Sequence, residues 1–592
     1  MKLDTIPNIN YLWSGLIIEE LRRNGIVEFC IAPGSRSTPL TLSAAGCDEV
    51  PKTIHFDERG LGFYALGISS GGKGPPALIS TSGTAAANFF PAVIEASKKK
   101  VPLIILTADR PPELRKTGAL QTIDQPGIFG KYVKWEFDLP APDSQIDPEM
   151  VLTTIDQAVF MAVSGTPGPV HLNCMFREPL APEKVTGDWM KNRDSIEIWL
   201  NSNTPYTRYI GADERLSSGH VDEIINIINR SVNGVIVAGK LKSGESDQVK
   251  KLAEKLKWPV FPDLTSGLRF DNTSDHIIHY FDQVLLSGIW DKDKIDTVLH
   301  LGGRITSKRY YQFIEKAKPE NYISVLNHPL RNDPLHIVSH RVKSSVSAFI
   351  EAVISGVKFR TTGTISGRLM KSSKAAGNKI DDFFRKSDVL SEIFVARAVS
   401  MLIGRGGALF LSNSMPVRDM DMYASPINNN LLVSGNRGAS GIDGIVASAA
   451  GFANAVNAPL TLIIGDLAFL HDMNSLALIK ACKNQIIIII INNNGGAIFS
   501  FLPVASYRDH FDKYFTTPHG MSFENAGKQF GIDYIKVSSK KEFSELYSKS
   551  VENGESLIIE VAVDRGKNME LHKELQSVIK KELDQFGSSE GG

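Results

Sequence analysis

Short apolar runs alternate along the chain with longer segments of helical periodicity. Several runs are continuous and rich in β-branched residues, which is typical of strands buried on both faces of a parallel sheet. Strands alternating with helices predict an α/β protein built from doubly wound parallel sheets. The predicted strands cover residues 27–32, 53–56, 77–81, 101–107, 168–172, 235–238, 260–261, 297–301, 322–326, 408–411, 431–433, 461–464 and 486–491.

The strand pattern divides the 592 residues into three units, since a chain of this length exceeds what one core can organise. We predict a first domain over residues 1–185, a central domain over 217–360 and a third domain over 387–592. Residues 186–216 and 361–386 are predicted to be linkers. The second linker is rich in Lys, Arg, Ser and Gly, which is typical of a solvated connector.

Residues 461–496 contain two apolar runs that each end abruptly in polar residues. Gly465 and Asp466 follow the first run, and Asn493, Gly495 and Gly496 follow the second. Because the carboxyl ends of parallel strands meet at one edge of a sheet, a carboxylate and an amide should lie close together there. Oxygen ligands of this kind suit Mg²⁺ with a bound diphosphate, and the glycines allow close backbone approach. Ordinary turns between strands and helices also favour Gly, Asp and Asn, which is the alternative interpretation.

Composition excludes several classes of function. The chain is 42% hydrophobic and 22% charged, with 65 basic and 65 acidic residues, so no global field recruits nucleic acid or an anionic membrane. No apolar run approaches the ~20 residues that span a bilayer, and the N-terminus lacks the apolar core of a signal peptide. We expect a cytoplasmic protein with no nucleic-acid partner and no membrane insertion.

Sequence blocks between residues 31 and 499 resemble the thiamine diphosphate decarboxylase-like superfamily. Within it they are most similar to the branch that joins 2-oxoglutarate to isochorismate in menaquinone biosynthesis. Leu467 stands where the superfamily usually has a glycine, and this departure agrees with that branch. The blocks read, in order, IAPGSRSTPL, HFDERGLGFYALG, TSGTAAANFFPAVIEA, LTADRPPEL, SNSMPVRD, NRGASGIDG, GDLAFLHD and INNNGGAIF.

The resemblance implies an enzyme with thiamine diphosphate and Mg²⁺ (or Mn²⁺) as cofactors. It would decarboxylate 2-oxoglutarate and add the resulting four-carbon carbanion across a conjugated double bond of isochorismate. The family architecture also implies a homodimer, possibly paired into a tetramer. In such a dimer, Glu58 of one chain would meet Asp466 and Asn493 of its partner.

The resemblance further implies roles for individual residues. Glu58 matches the glutamate that binds the aminopyrimidine ring, and Asp466, Asn493 and the Gly495 carbonyl match the metal ligands. Further cofactor contacts are implied for Met415, Ile442, Leu467 and Ile498. Substrate contacts are implied for Ser35, Arg36, Arg110, Gln121, Lys308, Arg309, Ser414, Arg418, Arg437 and Phe499. Gln121, Arg418 and Arg437 join Glu58 as implied catalytic residues. No catalytic histidine is required, so His55, His471 and His519 are expected to be structural, with some chance of a substrate contact.

The predicted substrate residues include an accumulation of lysine and arginine side chains, although the chain as a whole has zero net charge. Both implied substrates carry two carboxylates, which guanidinium groups bind well in bidentate pairs. Each arginine alone could instead form a surface or interdomain ion pair. Ile498, Phe499 and Leu502 are expected to form an apolar wall, and Ile442 to support the cofactor, although core packing would explain these four nearly as well.

Two other readings remain open at this point. Another superfamily member, such as an acetohydroxyacid synthase or a simple 2-oxoacid decarboxylase, would act on pyruvate-like acids that need fewer cationic side chains. A non-catalytic diphosphate-binding regulator with the same fold would bind the cofactor without turning over any 2-oxoacid. Competition between substrates distinguishes a pyruvate-type enzyme from the 2-oxoglutarate branch. Cofactor binding without turnover of a 2-oxoacid would favour the regulator.

Overall fold

The computed structural model describes residues 5–186, 193–211, 216–287, 294–360, 364–427 and 431–588. Within these residues, the strands form three parallel sheets with helices between them. This confirms the α/β class with doubly wound parallel sheets that the apolar runs predict. The domain boundaries stay a prediction.

The first sheet has the strand order β2-β1-β3-β4-β6-β5. Its strands are β1 (Phe29–Ile31), β2 (Lys52–Ile54), β3 (Ala77–Ser80), β4 (Leu103–Asp109), β5 (Trp135–Leu139) and β6 (Pro169–Met175). The helices of this part of the chain are α1 (Ile9–Arg23), α2 (Thr38–Ala45), α3 (Glu58–Ser70), α4 (Thr84–Asn88), α5 (Phe90–Lys99), α6 (Pro148–Val163) and α7 (Glu197–Leu200).

The second sheet has the order β11-β10-β9-β7-β8. Its strands are β7 (Gly234–Ala238), β8 (Val260–Pro262), β9 (Thr297–Leu301), β10 (Asn321–Leu326) and β11 (His340–Lys343). Its helices are α8 (Ser218–Arg230), α9 (Glu245–Leu256), α10 (Phe281–Val284), α11 (Lys308–Ala317) and α12 (Val346–Ile354).

The third sheet has the order β13-β12-β14-β15-β17-β16. Its strands are β12 (Ala408–Leu411), β13 (Leu432–Ser434), β14 (Leu460–Gly465), β15 (Ile486–Asn492), β16 (Asp533–Val537) and β17 (Leu557–Ala562). The remaining helices are α13 (Thr364–Lys386), α14 (Glu392–Leu402), α15 (Met415–Tyr423), α16 (Ile445–Val456), α17 (Asp466–His471), α18 (Leu476–Ala481), α19 (Arg508–Phe511), α20 (Glu524–Phe530), α21 (Lys540–Asn553) and α22 (Arg565–Ser588).

The first and third sheets repeat the same strand order, strand for strand. The segment after β2 that begins α3 therefore corresponds to the segment after β13 that begins α16. In sequence, residues 435–444 faintly echo residues 57–62, and the shared topology fits an ancient duplication.

The chain separates into two compact units by its internal contacts. The first unit contains Met1–Ala212, Gly435–Ala458 and Ala468–Ile486, so helices α16 and α18 belong with the first sheet. The second unit contains Asp213–Ser434, Pro459–Leu467 and Ile487–Gly592, with the second and third sheets.

Two local expectations differ from the structure. The sequence predicts a helix from Asn10 to Asn24 with Asn10 as its cap. Helix α1 instead begins after Asn8, whose side chain accepts the N–H of Asn10. The segment 361–386 contains helix α13, whose Ala376, Ile380 and Phe384 are buried against α22. The prediction that this segment is solvated is therefore wrong for the side of α13 that packs against α22. Across the described parts of the chain, no helix combines the length and the apolar character that a membrane span requires.

Candidate functional site

The strongest candidate site lies at the carboxyl ends of the adjacent strands β14 and β15 in the second unit. Asp466 follows β14 directly and is 1% exposed. Its carboxylate accepts the Leu467 N–H at 2.7 Å and the Gly495 N–H at 2.9 Å. The structure thus brings together the carboxylate and the Asn493–Gly495 turn, as their positions after neighbouring strands predict.

Asn493 presents an unpaired acceptor at this edge. Its amide nitrogen donates to Glu392 Oε1 at 3.0 Å, which fixes the orientation of the side chain. The Asn493 Oδ1 atom is buried and has no hydrogen-bond partner among the described residues. A buried unpaired acceptor is costly, so this oxygen is suited to an external ligand.

Gly495 allows the turn to close tightly behind the site. Its φ of +129° lies in a region that L side chains rarely adopt. A Cβ at this position would lie 2.0 Å from the Thr516 carbonyl oxygen. Any other residue would displace the turn that brings the Gly495 N–H to Asp466.

His519 lies at the same edge, and the sequence analysis expects it to be structural. Its Nε2 lies 3.2 Å from Asp466 Oδ2, and its side chain is 7% exposed. Nδ1 accepts the Met521 N–H at 3.0 Å, whereas Nε2 is near Asp466 without the alignment of a hydrogen bond. Asn494 Oδ1 accepts the N–H groups of His519 and Gly520 and holds this loop in place.

The carboxyl groups of Glu392, Asp419 and Asp466 lie close together below this edge. Burial and the nearby charges of Asp419 and Asp466 together raise the pKa of Glu392 to about 8, against the hydrogen bond from Asn493. An accumulation of this kind favours a bound cation. No group of three or more His, Cys, Asp and Glu side chains suited to a metal occurs in the described residues. A cation here would therefore need the Asn493 oxygen and a backbone carbonyl besides Asp466.

Glu58 is the first residue of α3 in the first unit and is half-buried. The neighbouring Asp57 caps the helix, accepting the N–H groups of Arg59 and Gly60 at 3.0 and 3.3 Å. Glu58 therefore does not make the cap hydrogen bonds, and its position in the first turn also suits the helix dipole.

Close helix packing fixes the position of α3. A Cβ on Gly67 of α3 would lie 2.2 Å from the Ser448 carbonyl oxygen of α16. A Cβ on Gly451 of α16 would lie 2.0 Å from the Tyr64 carbonyl oxygen of α3. The two helices approach so closely that Gly is required at both positions, and this fixes the later turns of α3 against α16.

Predicted substrate residues of the first unit gather at the carboxyl edge of its sheet. Arg110 follows β4 and donates to Ser82 Oγ at 2.7 Å, and its other nitrogen lies 3.5 Å from Gln121 Oε1. Burial lowers the pKa of Arg36, and the nearby Arg110 lowers it further. Ser35 is exposed beside Arg36. The structure therefore places these four predicted residues in one neighbourhood.

Arg36 is already partly engaged within the protein. It donates to the Phe176 carbonyl at 2.9 Å and lies 3.2 Å from Glu178 Oε1. The Glu178 side chain is 69% exposed, so a substrate carboxylate could replace it at small cost.

The loop that carries Arg437 is anchored by a carboxylate that the sequence interpretation missed. Glu95 of α5 is 3% exposed and accepts the N–H groups of Gly438, Ala439 and Ser440 at 2.6, 2.5 and 3.2 Å. Three converging donors form a nest around one carboxylate. Glu95 thereby fixes the backbone next to Arg437, which is half-buried in the same unit.

In the second unit, predicted substrate residues follow β9 and β12. Ser414, at the start of α15, has a φ of +73°, a strained conformation of the kind that clusters at functional sites. Arg418 is exposed and donates to the Ser414 carbonyl, and Met415 is buried. After β9, Lys308 is exposed, while Arg309 forms an ion pair with Asp282.

The predicted apolar contacts are not core residues. Ile442 is 41% exposed and Leu502 is 44% exposed. Ile498 and Phe499 are only half-buried, as is Leu467. Core packing therefore does not explain Ile442 and Leu502, and their exposure suits contact with a ligand.

Comparison with known proteins gives three matching family models along the chain. Residues 14–128 match the thiamine pyrophosphate enzyme N-terminal TPP binding domain, and residues 189–411 match the middle domain of thiamine pyrophosphate enzymes. Residues 418–561 match the thiamine pyrophosphate enzyme C-terminal TPP binding domain.

Curated relatives match over nearly the whole chain. A 2-succinyl-5-enolpyruvyl-6-hydroxy-3-cyclohexene-1-carboxylate synthase from Rubrobacter xylanophilus is 43% identical over 575 residues, covering 97% of this chain and 99% of that protein. Proteins of the same name from Salinibacter ruber and Prosthecochloris aestuarii are each 41% identical, over 98% and 97% of this chain and 98% of each relative. The chain therefore belongs to the 2-succinyl-5-enolpyruvyl-6-hydroxy-3-cyclohexene-1-carboxylate synthase family of thiamine pyrophosphate enzymes.

Proposed function

We propose that this protein decarboxylates 2-oxoglutarate and adds the remaining four-carbon unit to isochorismate. The products would be CO₂ and 2-succinyl-5-enolpyruvyl-6-hydroxy-3-cyclohexene-1-carboxylate, an intermediate of menaquinone biosynthesis. The near full-length similarity to relatives of that name carries the proposal. The loops rich in arginine support it, because both substrates are dicarboxylates.

Thiamine diphosphate, when bound, supplies an electron sink for the carbanion that remains when a 2-oxoacid loses CO₂. We propose that Mg²⁺, or Mn²⁺ in its place, is held by Asp466, Asn493 Oδ1 and the Gly495 carbonyl. The unpaired Asn493 oxygen and the buried carboxylate of Asp466 support this assignment. Leu467, Met415, Ile442 and Ile498 would contact the cofactor, and Glu58 would hydrogen-bond its pyrimidine ring.

A simple test separates this function from that of a pyruvate-type enzyme of the same superfamily. CO₂ release from labelled 2-oxoglutarate should resist a large excess of pyruvate, because pyruvate lacks the distal carboxylate. Strong competition by pyruvate would favour the alternative. Cofactor binding without turnover of either acid would favour a regulatory protein instead.

We expect the arginines to divide between the two substrates. Arg418 and Arg437 are assigned to the distal carboxylate of 2-oxoglutarate, and Arg36, Arg110 and Arg309 to isochorismate, with Ser35, Gln121, Lys308, Ser414 and Phe499 as further substrate contacts. Losing a charge-assisted hydrogen bond costs about 1.5–3 kcal/mol, roughly 10- to 150-fold in affinity or rate. Arg418→Ala should slow decarboxylation even without isochorismate, and Arg36→Ala should spare it and impair the second step.

Rapid-mixing spectroscopy can follow the two half-reactions separately. Arg115→Ala is not a suitable control, because Arg115 pairs with the buried Asp109. Arg385→Ala is better matched, since the Arg385 side chain is 75% exposed. A block of decarboxylation by Arg36→Ala, with none by Arg418→Ala, would reverse the assignment. No effect of either variant on either step would make both arginines structural.

We also propose a homodimer in which each active site takes residues from two chains. The support for this proposal is the resemblance of the sequence blocks to the superfamily. Mixing inactive Glu58→Gln protein with inactive Asp466→Ala protein should regenerate activity, because one of the two sites in a mixed dimer is then fully wild-type. Demonstrably mixed dimers without any activity would refute shared sites. Whether dimers pair into tetramers can be measured by analytical ultracentrifugation of the same samples.

A further inference from the structure

The C-terminal helix α22 contacts several segments that carry predicted substrate residues of the second unit. Its apolar side is anchored by Leu575, Ile579 and Leu583, each fully buried in a cluster with α13. This apolar contact already accounts for the packing of the helix. The polar residues His572 and Gln576, in contrast, face α11, α15 and the turn after β15.

His572 is 1% exposed and lies between α15 and the 497–501 turn. Its Nδ1 forms a hydrogen bond with the Tyr423 hydroxyl at 3.1 Å. Its Nε2 lies 3.2 Å from Asp419 Oδ1, a close contact without the alignment of a hydrogen bond. Its ring packs edge-on against Phe501 with centroids 5.2 Å apart. Tyr423 and Asp419 both belong to α15, so His572 contacts the helix from which Arg418 projects at two points.

Gln576 lies one helical turn further along α22 and reaches α11. Its amide oxygen accepts from Arg309 at 3.0 Å, and its amide nitrogen donates to the Tyr423 hydroxyl at 3.2 Å. Arg309 also pairs with Asp282, which is 4% exposed. Two partners from different helices therefore fix the guanidinium group, although a quarter of the Arg309 side chain is exposed.

The Tyr423 hydroxyl joins these two contacts into one network. It meets both His572 and Gln576, and burial raises the pKa of Tyr423. Burying polar side chains costs free energy unless they are paired, so this pairing specifies one arrangement of α11, α15 and α22.

We propose that His572 and Gln576 are positioning residues for the reaction. His572 fixes the position of Arg418 through α15, and Gln576 fixes the guanidinium group of Arg309 directly. The proposal rests on the proposed function, because it deepens the roles assigned to these two arginines. It gives the C-terminal helix a substrate-specific role, which its sequence does not reveal.

The test uses the full-length protein with thiamine diphosphate, Mg²⁺ and both substrates. Gln576→Leu should raise KM for isochorismate about 10-fold, the loss of one hydrogen bond to a charged group, and leave KM for 2-oxoglutarate unchanged. Gln576→Glu keeps an acceptor for Arg309 and should restore KM to near the wild-type value. His572→Ala should raise KM for 2-oxoglutarate instead. Lys573→Gln, on the exposed side of the same helix, is the matched control.

Equal increases in both KM values would overturn the proposal, as would unchanged KM values or losses of activity that simply follow a fall in Tm. If His572→Ala fails to fold, the comparison of Gln576→Leu with Gln576→Glu decides alone. A wild-type protein that turns over neither substrate would refute the proposed function, and amide hydrogen exchange then tests the positioning separately. Gln576→Leu should speed exchange in α11 and His572→Ala in α15, and unchanged exchange would overturn the proposal.

Discussion

Replacing Glu58 by Gln should leave the protein folded and remove nearly all turnover, by about 10²- to 10⁴-fold as for other general acid–base groups. An amide cannot hold a proton on the pyrimidine nitrogen of the cofactor as a carboxylate does. The fold should survive because Asp57, not Glu58, caps α3. Steady-state turnover together with circular dichroism measures both expectations.

Asp57→Asn is the matched control for Glu58→Gln. It removes one charge at the adjacent position and keeps a good helix cap, so activity should stay near the wild-type level. Near wild-type activity of Glu58→Gln itself would remove Glu58 from the mechanism. Loss of activity in both variants would point to the helix start rather than to the carboxylate.

The second large effect is expected for Asp466→Ala, which should abolish metal-dependent binding of thiamine diphosphate. Asp466 is the only anionic protein ligand in the proposed metal site. Its Oδ2 atom also accepts the Gly495 N–H and so organises that turn. Calorimetric titration with Mg²⁺ present measures the loss directly. Asn493→Ala should weaken binding less, because it removes one neutral oxygen.

Glu574→Ala, which removes an exposed carboxylate in the same unit, serves as the control for this titration. Unchanged cofactor affinity of Asp466→Ala would mean that the metal binds elsewhere. Equal affinity with Mg²⁺ and with a chelator in the wild-type protein would contradict a metal-bridged diphosphate altogether.

The apolar runs predict central strands better than edge strands. β15 is a run of isoleucines that is buried along its length, and its bounds follow from the sequence almost directly. The strands β5, β11 and β16 were not predicted, and each lies at the edge of its sheet, where exposed polar residues interrupt the run.

β17 is central and was also not predicted, because Glu560 interrupts its apolar run. That carboxylate is fully buried and accepts from Asn492, from the Phe523 N–H and from the Tyr534 hydroxyl. Pairing of this kind depends on tertiary structure, so a single sequence does not show it. The cap of α1 is a milder case, because Asn8 and Asn10 are equally good candidates and only the fold decides between them.

The sequence predicts the site residues that follow strands directly, since chain position fixes them at one edge. It does not predict Glu392 or His519, which approach Asn493 and Asp466 from other elements of the second unit. Nor does it predict Glu95, which holds the Arg437 loop in the first unit. A lone carboxylate within the apolar segment of α5 was the available signal for Glu95. Glu392 is the first residue of α14, where an acidic side chain is common because of the helix dipole, so it carries no signal of its own.

Charge accumulation predicts arginines in the loops but not their internal partners. Arg309 pairs with Asp282, and Arg36 lies beside Glu178. These partners change the expected size of a mutation, because an arginine already held by the protein loses less freedom when a substrate binds. The division of arginines between two substrates therefore needs half-reaction kinetics.

The central claim is that this protein joins 2-oxoglutarate to isochorismate with loss of CO₂. Mass spectrometry of the products, with Mg²⁺, thiamine diphosphate and both substrates, tests it most directly. The expected result is a new product with the summed mass of both substrates less CO₂, formed only when both are present and absent with Glu58→Gln protein. Release of CO₂ with unaltered isochorismate, or no consumption of 2-oxoglutarate, would contradict the claim.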